Sequence, residues 1–591
     1  MEIEVPALVQ SLIIYLLLAI AFLGWGKAAA RVLGLTESLD GSWLLPVWLG
    51  FAATLLTLQL LHLVLPLTAQ VVVPVFALGV IFAIRPIALQ IQHRSRPFVS
   101  TEFVLVCAIL AIVAGWIALR AMLLRPNDYD SGLYHFTAIR WIDSHPIVPG
   151  LGNLHGRLAF NSSFFVLVAA LNFQPYFGHG PFIANSFLLV LAIATMADLL
   201  RPLARRPSLL AGSHPFLFGA PLFALPPLGY IAMSPRLSSP SPDVTSTIIQ
   251  IVLFVMLCDG VARWRAGDRH QDYRALLILV LAVTAVTIKL SNLAFSIGIA
   301  VFVIAYWTQN RLPRARSAVQ IFLPAAVLGL VWAFRGFLLS GAPLYPSTIG
   351  YIPMEWAVPR AAIVEMAYWV YSWARSPGEH WSTVLGNWAW IAPWMQNAAE
   401  DLIGVMVPLG QSALFGIAGA VAALGSKRSR VRRLEWAILA PPLIGLAYWF
   451  LSAPNIRFAH ALFFLLSLAS CLLFLLSVQP MAGKRAFPVV ACVVFLLGNS
   501  HFLQFSFDNE WTLKPCAPKG SWIACVPSAS YQSIDEVPLT TRVTSSHLTV
   551  LTPVSGDQCW DAPLPCTPYF NPTLEWRDLG LLGSGFVVTE R

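Results

Sequence analysis

The sequence predicts an all-α polytopic membrane protein, and three observations carry that prediction. Hydrophobic residues make up 57% of the 591-residue chain and charged residues only 11%, with a mean hydropathy of +0.71. A soluble globule carries about 25% charged residues. Apolar runs of about 20 residues, enough to cross a bilayer, recur throughout; examples are VQSLIIYLLLAIAFLGWG, FVLVCAILAIVAGWIALRAML and ALFFLLSLASCLLFLLSV. Finally, basic residues gather in short linkers between these runs: QHRSR (92–96), RPLARR (201–206), RWRAGDRHQDYR (263–274), RLPRAR (311–316), SKRSRVRR (426–433) and GKR (483–485). This positive-inside distribution assigns the linkers to the cytoplasm. It also accounts for the net charge of +9 without a nucleic-acid partner.

Taken in order, the run near 9–26 follows Glu2 and Glu4 and lacks a basic start, so it reads as a retained helix. The length criterion predicts roughly 13–15 spanning helices over residues 1–504. The remaining connections then lie outside: 125–158, the turn SPRLSSPSPD (234–243), 340–403, APNIRFAH (453–460) and the tail. Parity fails in two places. Residues 160–200 look like two helices where one crossing is needed, so one must be re-entrant or interfacial, with its backbone buried in protein. The KLSN break at 289–292 is either an outer turn or a helix break within the membrane.

Residues 505–591 form an extracytoplasmic C-terminal domain with a different composition. Four cysteines, Cys516, Cys525, Cys559 and Cys566, fall there, whereas Cys107, Cys258, Cys471 and Cys492 lie singly in apolar runs. The tail cysteines point to two disulfides, with three connectivities open. The alternative of a zinc site lacks any C-x-x-C knuckle. Stretches such as SSHLTVLTPV predict some β-structure.

The most polar part of the greasy region is RPNDYDSGLYHFTAIRWIDSHPIVPGLGNLHGRLAFNSS, residues 125–163. Leu133, Phe136, Ile139 and Ile142 recur every three residues, which lays one apolar face along a short helix in the membrane interface. Asp130 stands at its start, where an aspartate commonly serves only as the N-cap. Asp128 and Asp130 nevertheless form a D-x-D pair at the outer mouth of a spanning helix. Acids there cost free energy unless solvated, paired or in use.

The block D-S-G-L-Y-H (130–135) resembles the D-E-x-x-Y/F block of the GT-C glycosyltransferases, multi-pass enzymes whose first outer loop carries a catalytic aspartate. The resemblance implies a GT-C-like fold and a polyprenyl-phosphate-linked sugar as donor. Asp130 takes the place of the family's aspartate and Tyr134 that of its aromatic residue. Ser131 stands where the family has its second acid, which argues against a metal held by an Asp–Glu pair. No cofactor motif is present, and a divalent ion stays an open alternative. The stretch GLYH…HPIVPGLGNLHGRLAFNSS also resembles an uncharacterised family of bacterial multi-pass membrane proteins, which implies a bacterial inner membrane but no activity.

The implied reaction needs a base for the acceptor hydroxyl, cations for the leaving lipid phosphate, and an apolar groove for the prenyl chain. Asp130 is the expected base and Asp128 a second acid or positioning group. Arg335, Arg457, His460 and Lys289 are the expected phosphate binders, arginine because its fork bonds two oxygens at once. Each arginine has the alternative of a snorkelling interfacial side chain. His135, His155, Arg157 and Asn161 are expected to shape the sugar pocket with Tyr134. Trp356, Trp373, Trp381, Trp388, Trp390 and Trp394 crowd the outer segment 340–403, where anchoring at the interface competes with stacking on sugars. The acceptor is a lipid, glycan or protein hydroxyl on the periplasmic or exterior face.

Nucleotide-binding loops of the G-x-x-x-x-G-K-[ST] kind are absent, as are H-E-x-x-H and G-x-S-x-G. Two rival classes are an O-antigen polymerase or ligase, which would rely on 340–403, and a transporter or flippase of lipid-linked glycans, whose site would lie near the midplane.

Overall fold

A computed structural model describes residues 5–35, 42, 44–92, 101–123, 126, 128–173, 180–205, 213–267, 271–310, 315–425, 433–459, 461–508, 537–578 and 580–588. Among them, eleven helices are long and apolar enough to cross a membrane. The longest, Leu462–Asp508, is two helices that meet at Gly483, whose φ of +68° only a glycine adopts readily. Gln271–Ile288 and the shorter apolar helix Ala440–Ser452 pack among the others. The protein is thus an all-α polytopic membrane protein.

Several helices begin on proline, whose missing N–H costs nothing in the first turn: Leu45–His62, Pro215–Met233, Pro242–Arg265 and Ala440–Ser452. Between lipid-facing helices, close backbone approach replaces the hydrophobic drive. A side chain on Gly50 would come within 1.6 Å of the Phe22 carbonyl, and one on Gly24 within 1.8 Å of the Gly79 carbonyl. These glycines let Val5–Val32 pack tightly on Leu45–His62 and Ala69–Gln92.

Both parity problems have a structural answer. Ser163–Ala170 is a helix of only eight residues, about 12 Å, and every residue in it is buried. It cannot cross, and Gly180–Arg205 makes the single passage. Residues Leu290–Asn292 form one 3-10 turn joining Gln271–Ile288 to Leu293–Asn310. Lys289 therefore sits at an end of the bundle and not at a break within it.

The two ends differ in chemistry. At one, Asp259 pairs with Arg263 at 2.8 Å and Arg274 at 2.5 Å, and Glu435 pairs with Arg265, all beside the basic linkers. The other end lies one helix length away along Pro242–Arg265, roughly 36 Å for 24 residues. There the loop 128–162 is gathered.

That loop differs from a helix lying on lipid. A π-helical turn, Ser131–His135, leads into Phe136–Ser144, and Leu133, Phe136, Ile139 and Ile142 are all buried. The helix packs on Ser163–Ala170, and its Phe136 also meets Trp560 of the C-terminal segment. That segment holds two antiparallel pairs, β1 (Leu539–Val543) with β2 (Thr549–Pro553) and β3 (Leu574–Trp576) with β4 (Phe586–Val588), and the disulfide Cys559–Cys566. Cys516 and Cys525 lie outside the described residues. Leu548, Val550, Leu574 and Phe586 join the same hydrophobic core as the helices.

Hydrogen bonds stitch the two parts together. Trp560 N–H donates to the Gly132 carbonyl at 2.8 Å, Phe586 N–H to the Pro149 carbonyl at 3.1 Å, and Thr567 Oγ1 to the Leu154 carbonyl at 3.0 Å. Arg140 Nη1 bonds the Asp561 carbonyl at 2.6 Å. Gly132 is required there, because a Cβ would stand 2.5 Å from the Trp560 ring.

Candidate active site

Asp130 opens the Ser131–His135 turn, yet its carboxylate makes no capping bond. Oδ1 accepts from Arg157 Nη1 at 3.1 Å and Oδ2 from Arg457 Nη2 at 2.6 Å. The capping alternative is therefore replaced by a double ion pair. Asp128 does the local work instead: its Oδ1 accepts the Asp130 N–H at 3.2 Å, and its own N–H donates to Ser239 Oγ at 3.3 Å. The other oxygen of Asp128, Oδ2, is buried with no partner.

Arg457 is the hub. Beyond Asp130 it faces Asp128 through Nη1 and Asp243 through Nε, each at 3.8 Å. Its helix Ile456–Ala459 is a single turn in the connection before Leu462–Asp508. Lys289 pairs with Asp243 and lies 4.4 Å from the centre of the Phe458 ring, over which Arg457 also sits at 5.0 Å. Three carboxylates thus meet three cations, brought from five separate stretches of chain.

Burial pushes the Asp130 carboxyl up, but Arg457 and Arg157 outweigh it and hold the group below the usual carboxylate range. Burial drives His135 down by more than Asp128, Asp130 and Asp243 can lift it, so its imidazole is neutral at pH 7. Ser131 Oγ lies 3.2 Å from His135 Nδ1. Tyr134 is buried with its ring against Phe160 and Phe165, and Arg157 stands 5.9 Å from the ring centre.

Of the expected residues, Asp128, Asp130, Tyr134, His135, Arg157, Lys289 and Arg457 come together. Others do not join them. Arg335 is buried and donates to His62 Nδ1 at 2.7 Å. Asn161 Nδ2 is committed to the Trp332 carbonyl at 2.6 Å. His155 packs on Tyr569 of the C-terminal segment, 5.4 Å between ring centres, and burial followed by Arg157 lowers it to about 3. His460 lies outside the described residues.

Asp243 is the residue that sequence reasoning missed. Its signal was present: an acid in the first turn of an apolar helix, at the end of the turn SPRLSSPSPD, at the same cost as Asp128 and Asp130. Among the described residues, no three of His, Cys, Asp and Glu are placed to hold a metal ion. The carboxylates face Arg457 instead.

The family model described as a domain of unknown function, DUF8201, matches residues 9–464. The chain belongs to this family. The matched span contains every charged residue of the site and stops before the C-terminal segment that covers it. Neither a curated protein nor a solved structure matches the chain.

Proposed function

We propose that this DUF8201 protein is a membrane glycosyltransferase of the GT-C kind, moving a sugar from a polyprenyl-phosphate donor to an acceptor hydroxyl at the exterior face of a bacterial plasma membrane. The observation that carries the reading is Asp130 held between Arg157 and Arg457 at the bundle end opposite the basic linkers. A carboxylate and a forked cation in contact are what the two halves of the reaction require.

A carboxylate bonded to two arginines is a weak base, so the donor must change it. A lipid phosphate docking on Arg457 and Arg157 takes over their N–H groups and leaves an Asp130 oxygen free. The acceptor oxygen then attacks the anomeric carbon and its proton passes to Asp130. The bond from the anomeric carbon to the phosphate oxygen breaks, and its electron pair leaves with the lipid phosphate. One displacement inverts the anomeric centre. Asp128 positions the base, holding the Asp130 N–H through Oδ1. Lys289 holds Asp243, which keeps a third carboxylate beside Arg457.

The buried eight-residue helix Ser163–Ala170 favours a second reading, because interrupted helices line transporter sites. Against it, the charged cluster sits at an end of the bundle. The test is incorporation of labelled sugar by the purified protein from synthetic polyprenyl-phosphate donors. Transfer supports the glycosyltransferase. Movement of the intact donor across vesicles without transfer would replace it with the transporter.

A further inference from the structure

Lys289 and Arg457 both stand in connections between helices, and one face of Pro242–Arg265 reaches both connections. Asp243, Ser246 and Gln250 recur at i, i+3 and i+7, which lays them on the same side of that helix. Asp243 pairs with Lys289 and faces Arg457. Gln250 lies two turns further in, about 10 Å along the axis. It is fully buried, as are Ser246 and Asn292.

Gln250 ties the two connections together. Its Oε1 accepts the N–H of Ala461, four residues after Arg457, at 2.9 Å. Its Nε2 donates to Asn292 Oδ1 at 2.8 Å. Asn292 belongs to the turn that follows Lys289, and its own N–H donates to the Lys289 carbonyl at 3.0 Å. The Asn292 Nδ2 donates to the Ala285 carbonyl at 2.8 Å and to Ser246 Oγ at 3.1 Å. These bonds run one way. The Ala461 N–H can only donate and the Ala285 carbonyl only accept, so neither amide can turn over without losing a bond.

The Arg457 turn is held on its other side as well. Trp449 Nε1 donates to the Asn455 carbonyl at 2.7 Å, and Asn455 Oδ1 accepts the Arg457 N–H at 3.2 Å. Buried amides between membrane helices can act as glue alone. Gln250 differs in what it holds: the backbone just after one cation and the turn just after the other. We propose that Gln250 is a positioning residue, which through Ala461 and Asn292 holds the Arg457 fork and Lys289 in place against the three carboxylates. The inference rests on the glycosyltransferase reading only in calling Arg457 the phosphate binder.

The test needs no substrate. Melting temperatures of the purified full chain in detergent are compared for the wild type, Asp130→Asn, Arg457→Met and the double variant. The loss caused by Arg457→Met should be larger with Asp130 present than in Asp130→Asn, and that difference measures the pair. The four melts are then repeated in Gln250→Met, which keeps the volume and makes neither bond. The expected result is a difference cut to less than about half, because a displaced fork no longer meets Asp130. Gln250→Glu keeps an acceptor for the Ala461 N–H and should restore most of it. An undiminished difference in Gln250→Met, however far its melting temperature has itself fallen, would make the amide glue and overturn the proposal. So would a difference in Gln250→Glu as small as that in Gln250→Met. If Gln250→Met does not fold, Ala461→Pro decides: it deletes the same N–H at a helix start, where proline is tolerated, and the same reduction is expected. An undiminished difference there would equally overturn the proposal. None of these melts depends on sugar transfer, so failure of this inference and failure of the glycosyltransferase reading are told apart.

Discussion

Asp130 and Arg457, 327 residues apart in the chain, meet at 2.6 Å. Everything proposed for the site turns on this pair, because it joins the loop 128–162 to the turn Ile456–Ala459 and, in the proposed reaction, puts a base beside a phosphate-binding fork. Asp130→Asn keeps the shape and one acceptor oxygen but removes the proton acceptor. Transfer should fall by about 100- to 10,000-fold, the usual contribution of a general base. Donor binding should persist. A variant that folds, binds donor and transfers normally would remove Asp130 from the chemistry.

Removing the hub has a different signature. Arg457→Met leaves Asp130, Asp128 and Asp243 facing one another, and breaking a buried ion pair by deleting one partner costs about 3–5 kcal/mol. The melting temperature of Arg457→Met should drop clearly, and adding Asp130→Asn should restore part of the loss, since the two residues are in contact. Arg457→Lys should keep most of the stability and lose donor affinity, because lysine cannot bond two phosphate oxygens as a fork. Thermal melts of the three variants, with a donor-binding titration, check this.

The membrane class was legible because it rests on local signals, apolar runs and basic linkers, and the D-x-D pair stood out because acids are costly beside an apolar run. Asp128 and Asp130 could be named for that reason. Arg335 misled because an arginine at the end of an apolar run looks the same whether it faces substrate or is enclosed; only the position of His62 from another helix distinguishes them. The interfacial helix misled in a related way. Its three-residue apolar repeat is real, but it packs on Ser163–Ala170 and, through Phe136, on Trp560 over 400 residues later, and periodicity carries no record of what lies opposite. Asp243 was visible and passed over because it stood alone in its turn.

The C-terminal cap makes its own prediction. Gly132 lies against Trp560, next to Cys559 of the Cys559–Cys566 disulfide. Gly132→Val should displace the Trp560 ring, since even a Cβ would sit 2.5 Å from it. Limited proteolysis should then release the segment after 537 faster than in the wild type, with a parallel loss of transfer. Gly132→Val that resists protease as well as the wild type would mean that the cap does not depend on this contact.

Asp143, in the same loop, gives the pH dependence. Burial pushes its carboxyl up to about 6, although Asn172 Nδ2 and Ser144 Oγ donate to it and pull the other way; the nearby Asp561 adds to the rise. An unfolded aspartate titrates near 3.9. Between these values the folded state holds a proton that the unfolded chain has released, so stability falls as pH rises from about 4 to 6 and is level above. Asp130 has the opposite sign. Held low by Arg457 and Arg157, it lends stability above about 4 that disappears as the pH falls through its folded value. Asp143→Asn should therefore raise the melting temperature at pH 7.5 more than at pH 5, because only at the higher pH does the wild type carry a buried charge there. Melting curves of both proteins at the two pH values decide it; an equal shift at both would mean that Asp143 keeps an ordinary carboxylate titration in the folded protein.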